Sequence, residues 1–454
     1  MTGLANDLRL AVLLTRGSDR REWWRVSLTA LGAALATGFG MAAAALASLT
    51  GRYQVPVADG LLDQPSQRSG VILTLLLLLV PVIGLLGQAT RVGAVHRDRR
   101  LAGLRLAGAS PRQVRRIAAL ETGLACLLGS VVAALAAVVV LLGEWRSPSV
   151  VAWAGIALVA LGVPVLGAMA GVLALRQVVA SPLGWVRRTG SRSGRGAAIV
   201  LLAALGLLVV AGLAAVVNTS RDVPGGSYTQ TPLPIFAALL AVGGGAILLS
   251  GVTAKLTGRL LAARTGNPAV LIAAERLRDD PWSAARTHAA VLMGTVVGSG
   301  YLGVRQGLLA ELATGEHFAA PKSFYTTGLD LAGAAVLVGF AITLFGLAVG
   351  TAESLATRRR GLAAQVAAGV PHDTLSRALL LETALPLVPA VLTAGTGGLA
   401  IAVWYTTAVS DSDSGLPYTA LLFPVAVFVA CLLAAATSLP LLRRSVRPAE
   451  LRYV

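Results

Sequence analysis

Ten runs of about 20 mostly apolar residues dominate the chain, and each is long enough to cross the hydrocarbon core of a bilayer as a helix. They lie at residues 27–49, 70–90, 117–142, 150–175, 196–217, 232–252, 285–305, 330–351, 378–404 and 417–442. Hydrophobic residues make up 56% of the chain and charged residues only 13%, a balance that a soluble core cannot use. The fold class expected is therefore an all-α polytopic membrane protein with ten transmembrane helices.

An even number of spans places both termini on one side. If that side is the cytoplasm, 32 of the 38 Lys and Arg fall in or beside the inner segments and 6 in the outer ones. This is the positive-inside pattern, so the net charge of +17 reports topology first and contact with anionic lipid headgroups second. Nucleic acid is not an expected partner, because no basic cluster is interleaved with exposed aromatics on a recognisable domain. The N-terminus lacks the pattern of a cleaved secretory signal and reads as mature sequence, a helix at the cytoplasmic interface. The outer segments are short, with no room for a folded outer domain.

Within this frame one segment recurs. Residues 97–122, RDRRLAGLRLAGASPRQVRRIAALET, align without a gap at an offset of 261 with residues 358–383, RRRGLAAQVAAGVPHDTLSRALLLET. Shared positions include Leu101/Leu362, Gly108/Gly369, Arg116/Arg377, Glu121/Glu382 and Thr122/Thr383. Each copy reads as helix, break, helix. Gly108 supplies a left-handed C-cap, Ser110 an N-cap and Pro111 a first helical residue, whereas the second copy keeps Gly369 and Pro371 but has no serine. The new helix then sheds its charges and runs into an apolar stretch, so each copy is a cytoplasmic elbow feeding a span.

The repeat extends to units of four spans. An approach with Trp23, Trp24 and Arg25 precedes the first, and residues 268–286, ending in Trp282 and Arg286, precede the second. Both units close on a basic stretch with a proline, at Pro182 and Pro448. An even number of spans separates the units, which gives them parallel topology. The division expected is residues 1–188 as a first module, 189–267 as a linker hairpin of spans five and six, and 268–454 as a second module.

Chemistry-bearing motifs are scarce. No phosphate-cradling loop is present, GVTAKLTG having the wrong spacing, and the four histidines are scattered, so no catalytic residue, no metal site and no cofactor is expected in this chain. Cys126 and Cys431 sit in apolar runs and read as small buried hydrophobes. Glu121 and Glu382 enter spans about one turn deep, where an ionisable group is a functional candidate; their repetition at two elbows favours anchoring to nearby arginines over proton transport. Gly294 with Gly298, and Gly346 with Gly350, have the spacing of close helix contacts, and Gly243-Gly244-Gly245 would soften the sixth run. With 51 glycines, chance accounts for some of these spacings.

The basic lead-in, short apolar helix, Leu-Ala-Gly-Ala-Ser, Gln-Val-Arg-Arg and a glutamate entering a span resemble the FtsX-like permease family of ABC transporters. The resemblance covers both four-span units. It implies two four-helix FtsX-like modules joined by a two-helix linker, set in a bacterial plasma membrane. It also implies that a cytoplasmic ABC ATPase, two copies per permease chain, binds the ATP and Mg. The ten-span layout is similar to permeases of bacitracin-export-type systems, but those carry a large extracellular domain where this chain has only residues 306–329.

Carried onto this sequence, the resemblance makes Leu101, Leu104, Arg105, Gly108, Ser110, Pro111, Arg112, Gln113 and Arg116 the ATPase-contacting or elbow-shaping positions. Leu362, Gln365, Gly369, Pro371, Asp373 and Arg377 are their weaker counterparts, with Glu121 and Glu382 as elbow anchors. The function implied is that of a permease subunit coupling ATP hydrolysis in a separate chain to movement of a lipid-like or amphipathic substrate. A permease-like sensor working with a two-component kinase and an ion-coupled secondary transporter are the alternatives. For the topology, single cysteines at Ser66 and Thr314 are expected to react with an impermeant thiol reagent in intact cells and those at Ser110 and Ser376 to stay unlabelled. Labelling at the elbows would overturn the orientation.

Overall fold

The computed structural model describes residues 20–51, 60–90, 92, 94–144, 149–174, 232–314, 321–409 and 416–440, with positions 9, 206, 210 and 213 besides. Twelve helices cover them: α1 (Arg20–Ala47), α2 (Pro65–Ala89), α3 (Ala94–Leu106), α4 (Pro111–Glu144), α5 (Val150–Ala174), α6 (Pro232–Arg264), α7 (Pro268–Asp279), α8 (Pro281–Thr314), α9 (Lys322–Thr357), α10 (Arg359–Ala367), α11 (His372–Val409) and α12 (Thr419–Ala436). Among the described residues nine helices are long and apolar enough to cross a membrane. They fall on nine of the ten expected runs. The run at 196–217 and the closing stretches at Pro182 and Pro448 lie outside the described residues, apart from single positions.

Several helices outlast their apolar runs: α4 begins at Pro111, six residues before its run, and α6 continues to Arg264. The backbone hydrogen-bond ladder does not stop where the hydrocarbon does. Basic residues simply take over the exposed positions as the helix leaves it. Between α7 and α8 the chain does break. Asn267 caps α7 through Ala269 N–H to its Oδ1 at 3.0 Å, and Asp280 ends it just before Pro281 opens α8.

The described structure divides into two compact units, the first of residues Met1–Leu49 and Val82–Arg192, the second of Thr50–Pro81 and Ser193–Val454. In the first, α1, α4 and α5 pack on one another. Lipid tails are as apolar as leucine, so contact between spans depends on close fit and on polar bonds rather than on escape from water. A Cβ at Gly129 on α4 would run into the Ala30 carbonyl of α1. Beside it Thr37 and Ser130 share a buried hydroxyl bond of 2.8 Å.

In the second unit α8 and α11 form the central pair, with α6 and α12 packed on both and α7 laid against α6 and α11. Here Gly398 on α11 brings its backbone against the Val296 carbonyl of α8. Gly243 leaves space for the Met293 thioether, and the glycine triplet it begins sits in an unbroken α6. At the start of α2 the buried Arg68 donates to the carbonyls of Leu62 (2.9 Å), Asp63 (3.2 Å) and Gly51, stapling the preceding segment. Cys126 and Cys431 are both buried and free.

Gly129→Ala should destabilise the protein by about 1–3 kcal/mol, the usual cost of overpacking. Gly38→Ala, where a Cβ meets nothing within 4 Å, should be neutral or stabilising by about 0.5–1 kcal/mol. Thermal unfolding in detergent reads both, and equal midpoints for the two variants would contradict this packing.

Candidate functional site: the two elbows

Each elbow is built on one backbone device. Gly108 has φ of +96°, its N–H reaches Arg105 O at 3.1 Å, and Ala109 N–H reaches Leu104 O at 3.0 Å. Gly369 has φ of +90°, with Gly369 N–H to Val366 O at 2.9 Å and Val370 N–H to Gln365 O at 3.0 Å. This is the Schellman closure, which fixes the exit direction of a helix and needs a residue at ease with positive φ. Past the first break Gln113 N–H donates to Ser110 Oγ at 3.2 Å, capping α4, while Arg105 Nη1 donates to Ala109 O at 3.0 Å. In the second elbow Pro371 stands where the serine is.

Apolar pins hold the short helices down. Leu101 is fully buried on Val114 and Ala118, and Leu362 is buried with Leu355 and Leu375. Neither reaches the surface of its elbow. Gly108, Ser110, Pro111, Arg112 and Arg116 are exposed, as are Gly369, Pro371, Asp373 and Arg377. Leu104, Arg105, Gln113 and Gln365 are half-buried. The outward face carries one residue that the sequence did not single out: Leu106, the last of α3, is 70% exposed. Its counterpart at the same offset, Ala367, is also exposed but much smaller.

Under each elbow lies a cluster of charge. In the first unit Arg100 of α3 donates to Glu121 of α4 at 2.5 Å and to Glu22 of α1 at 3.0 Å. Arg25 of α1 lies 3.7 Å from both carboxylates. Two arginines thus meet two glutamates, and the Glu121 side chain is only 1% exposed. In the second unit Glu382 of α11 is held by Arg358, at the junction of α9 and α10, at 2.6 Å and by Arg276 of α7 at 2.8 Å. This cluster is more open, its side chains being 21–36% exposed. In both units the carboxylate entering the span is bonded to the elbow's own arginine, and the elbow cannot shift without moving or breaking that pair.

The repeat located both carboxylates but not their partners. By the offset of 261 the counterpart of Arg358 is Arg97, yet Glu121 is held by Arg100, one helical turn further on. Glu22 lies among Arg20, Arg21 and Arg25 in the approach, and that acid beside three arginines was the available signal.

A family model described as FtsX-like permease C-terminal matches residues 70–183. Those residues are an FtsX-like permease domain. The match takes in most of α2, the first elbow, α4 and α5, about a quarter of the chain, and supports a membrane component of the ABC-type permease class; FtsX-like permeases typically partner with a cytoplasmic ABC ATPase. No curated protein and no solved structure matches the chain. Within the matched residues, Gly108, Ser110 and the Arg100–Glu121 pair form the junction between the elbow and α4.

The enclosed cluster should matter more to stability than the open one. Removing one partner of a buried ion pair leaves the other charge stranded, a loss of about 3–5 kcal/mol, whereas solvent screens a partly exposed pair. Glu121→Gln is therefore expected to lower resistance to denaturation in detergent more than Glu382→Gln, with equal losses counting against the contrast in burial.

Proposed function

We propose that this chain is the membrane subunit of an ABC transporter complex, in which separate cytoplasmic ATPases act on the two elbows and the elbows displace the spans to move or extrude a lipid-like or amphipathic substrate. The observation that carries the reading is the form of the first elbow inside the FtsX-like domain. An exposed tip of Leu106, Gly108, Pro111 and Arg112 sits on a root pinned by Leu101 and by the Arg100 bridge to α1 and α4. A push on the tip travels into two spans because Arg100 holds a carboxylate on each. The arginine partners of Glu121 and Glu382 favour an anchoring role over ion coupling, since a carboxylate locked to guanidinium is poorly placed to exchange protons.

The arrangement proposed has ten spans with both termini inside. Residues 1–188 and 268–454 are two modules of parallel topology, and spans five and six join them. Two ATPase subunits serve one permease chain and bind the ATP and Mg. Their two equivalent grooves meet unequal elbows, Leu106 and Arg112 on one and Ala367 and Asp373 on the other, so the first elbow is the stronger contact.

Co-expression with an ABC ATPase encoded beside this chain tests the reading. The purified permease alone should show no ATP turnover, and the co-purified complex should. Within the complex Arg112→Asp should weaken association by about 1.5–3 kcal/mol, the scale of a charge-assisted contact, and Asp373→Arg by less. Hydrolysis by the isolated chain, or failure of any such ATPase to associate, would sink the proposal.

A further inference from the structure

Pro386 and Pro389 lie within one turn of each other inside α11, and at the offset of 261 the first repeat has Ala125 and Leu128 in their places. α4 carries no proline beyond Pro111 at its start. A proline has no N–H to give to the carbonyl four residues back. Glu382 and Leu385 each lose the bond that would continue the ladder, and each ring pushes against that carbonyl. Such breaks are where helices bend. Among the described spans α2, α5 and α12 hold one internal proline each, and α11 holds two.

The pair falls between two packed bodies. On the elbow side, Leu375 is buried with Leu355 of α9 and Leu362 of α10, Leu379 packs on that group, and Glu382 is held by Arg358 and Arg276. On the far side, Leu387, Ala390, Val391, Ala394 and Ile401 belong to a different cluster, shared with α6, α8, α9 and α12. Close contact fixes that part to α8: Gly398 lies against the Val296 carbonyl, and Ala402 and Thr406 occupy the space left by Gly303 and Gly307. Neither cluster includes a residue from Leu380 to Pro386. The backbone ladder of α11 is thus interrupted where the helix passes from one body to the other.

We infer that α11 is hinged at Pro386 and Pro389, so that the segment from His372 to Leu385 swings with the elbow while the rest of the helix stays on α8. α4, with no such interruption and with Gly129 seated on the Ala30 carbonyl, moves as one piece. The use of the hinge rests on the transport reading above. A push on the second elbow is absorbed at the prolines, whereas a push on the first is carried along the whole span. The open setting of Glu382 fits this, since partly exposed ion pairs rearrange at low cost as the segment turns.

The test uses the full-length chain in nanodiscs, without ATPase, and measures distances between spin labels on introduced cysteines, with Cys126→Ala and Cys431→Ala removing the native thiols. Leu260→Cys with Arg377→Cys reads the elbow side of the hinge, Leu392→Cys with Tyr418→Cys the far side, and Trp24→Cys with Arg116→Cys the first elbow, all six positions being exposed. The swinging segment is about 20 Å long, so a bend of about 20° moves its end by about 7 Å. The Leu260–Arg377 distribution should therefore be wider than the other two by about 5 Å or more. Pro386→Ala with Pro389→Ala restores both N–H groups and should narrow it to the width of the others. If that double variant does not fold, the comparison of the three pairs with the prolines in place decides. A narrow Leu260–Arg377 distribution, which would mean a fixed bend, equal widths in all three pairs, or a width unchanged in the folded double variant would each overturn the inference. Because the widths are read without ATPase, failure here is separate from a failure of ATPase coupling.

Discussion

Every peptide group that crosses hydrocarbon must find its hydrogen-bond partner within its own segment, because no water is there to supply one. That constraint turns the apolar runs into helices and, by saturating each backbone internally, leaves the helices with little to hold them to one another. What remains is contact at very short range. Gly129 against Ala30 and Gly398 against Val296 bring backbones together, and the Thr37–Ser130 bond adds one of the few polar ties available at that depth. At the ends of the spans the rule relaxes, and arginine and glutamate take over the work of cohesion.

Much of this was legible because membrane spans and helix caps are written in local sequence. Nine expected runs recur as helices, and Gly108 and Gly369 take the left-handed conformation that the position of a glycine after an amphipathic turn implies. The misses are all non-local. Gly294 and Gly298 lie one turn apart on the same helix, yet one faces an opening and the other a phenylalanine ring more than a hundred residues away in the chain. Arg100, one turn further along α3 than the offset counterpart of Arg358, is the residue that reaches Glu121. The glycine triplet in α6 makes room for a methionine and does not interrupt the helix.

The two elbows therefore share a hinge but differ in what lies beneath it. The same Schellman closure sets both angles, so the turn itself does not distinguish them. Below it, a balanced group of two acids and two bases has all but Arg100 shut away from solvent in one unit, while a single carboxylate bridges two arginines in a more open setting in the other. Charge that is enclosed and balanced resists displacement, whereas a screened group rearranges at lower cost. The repeat supplies two levers of like geometry and unlike stiffness.

The enclosed cluster also bears on how the chain is made. Glu22 and Arg25 emerge early, but Glu121 follows nearly a hundred residues later, which at 5–20 residues per second is a delay of about 5–20 s. During that interval the two early residues, one turn apart on α1, can neutralise each other at the membrane surface. Arg100 then arrives to draw Glu22 toward the elbow, and Glu121 completes the set. The first unit thus gains its full set of four charges only once the start of α4 has been made.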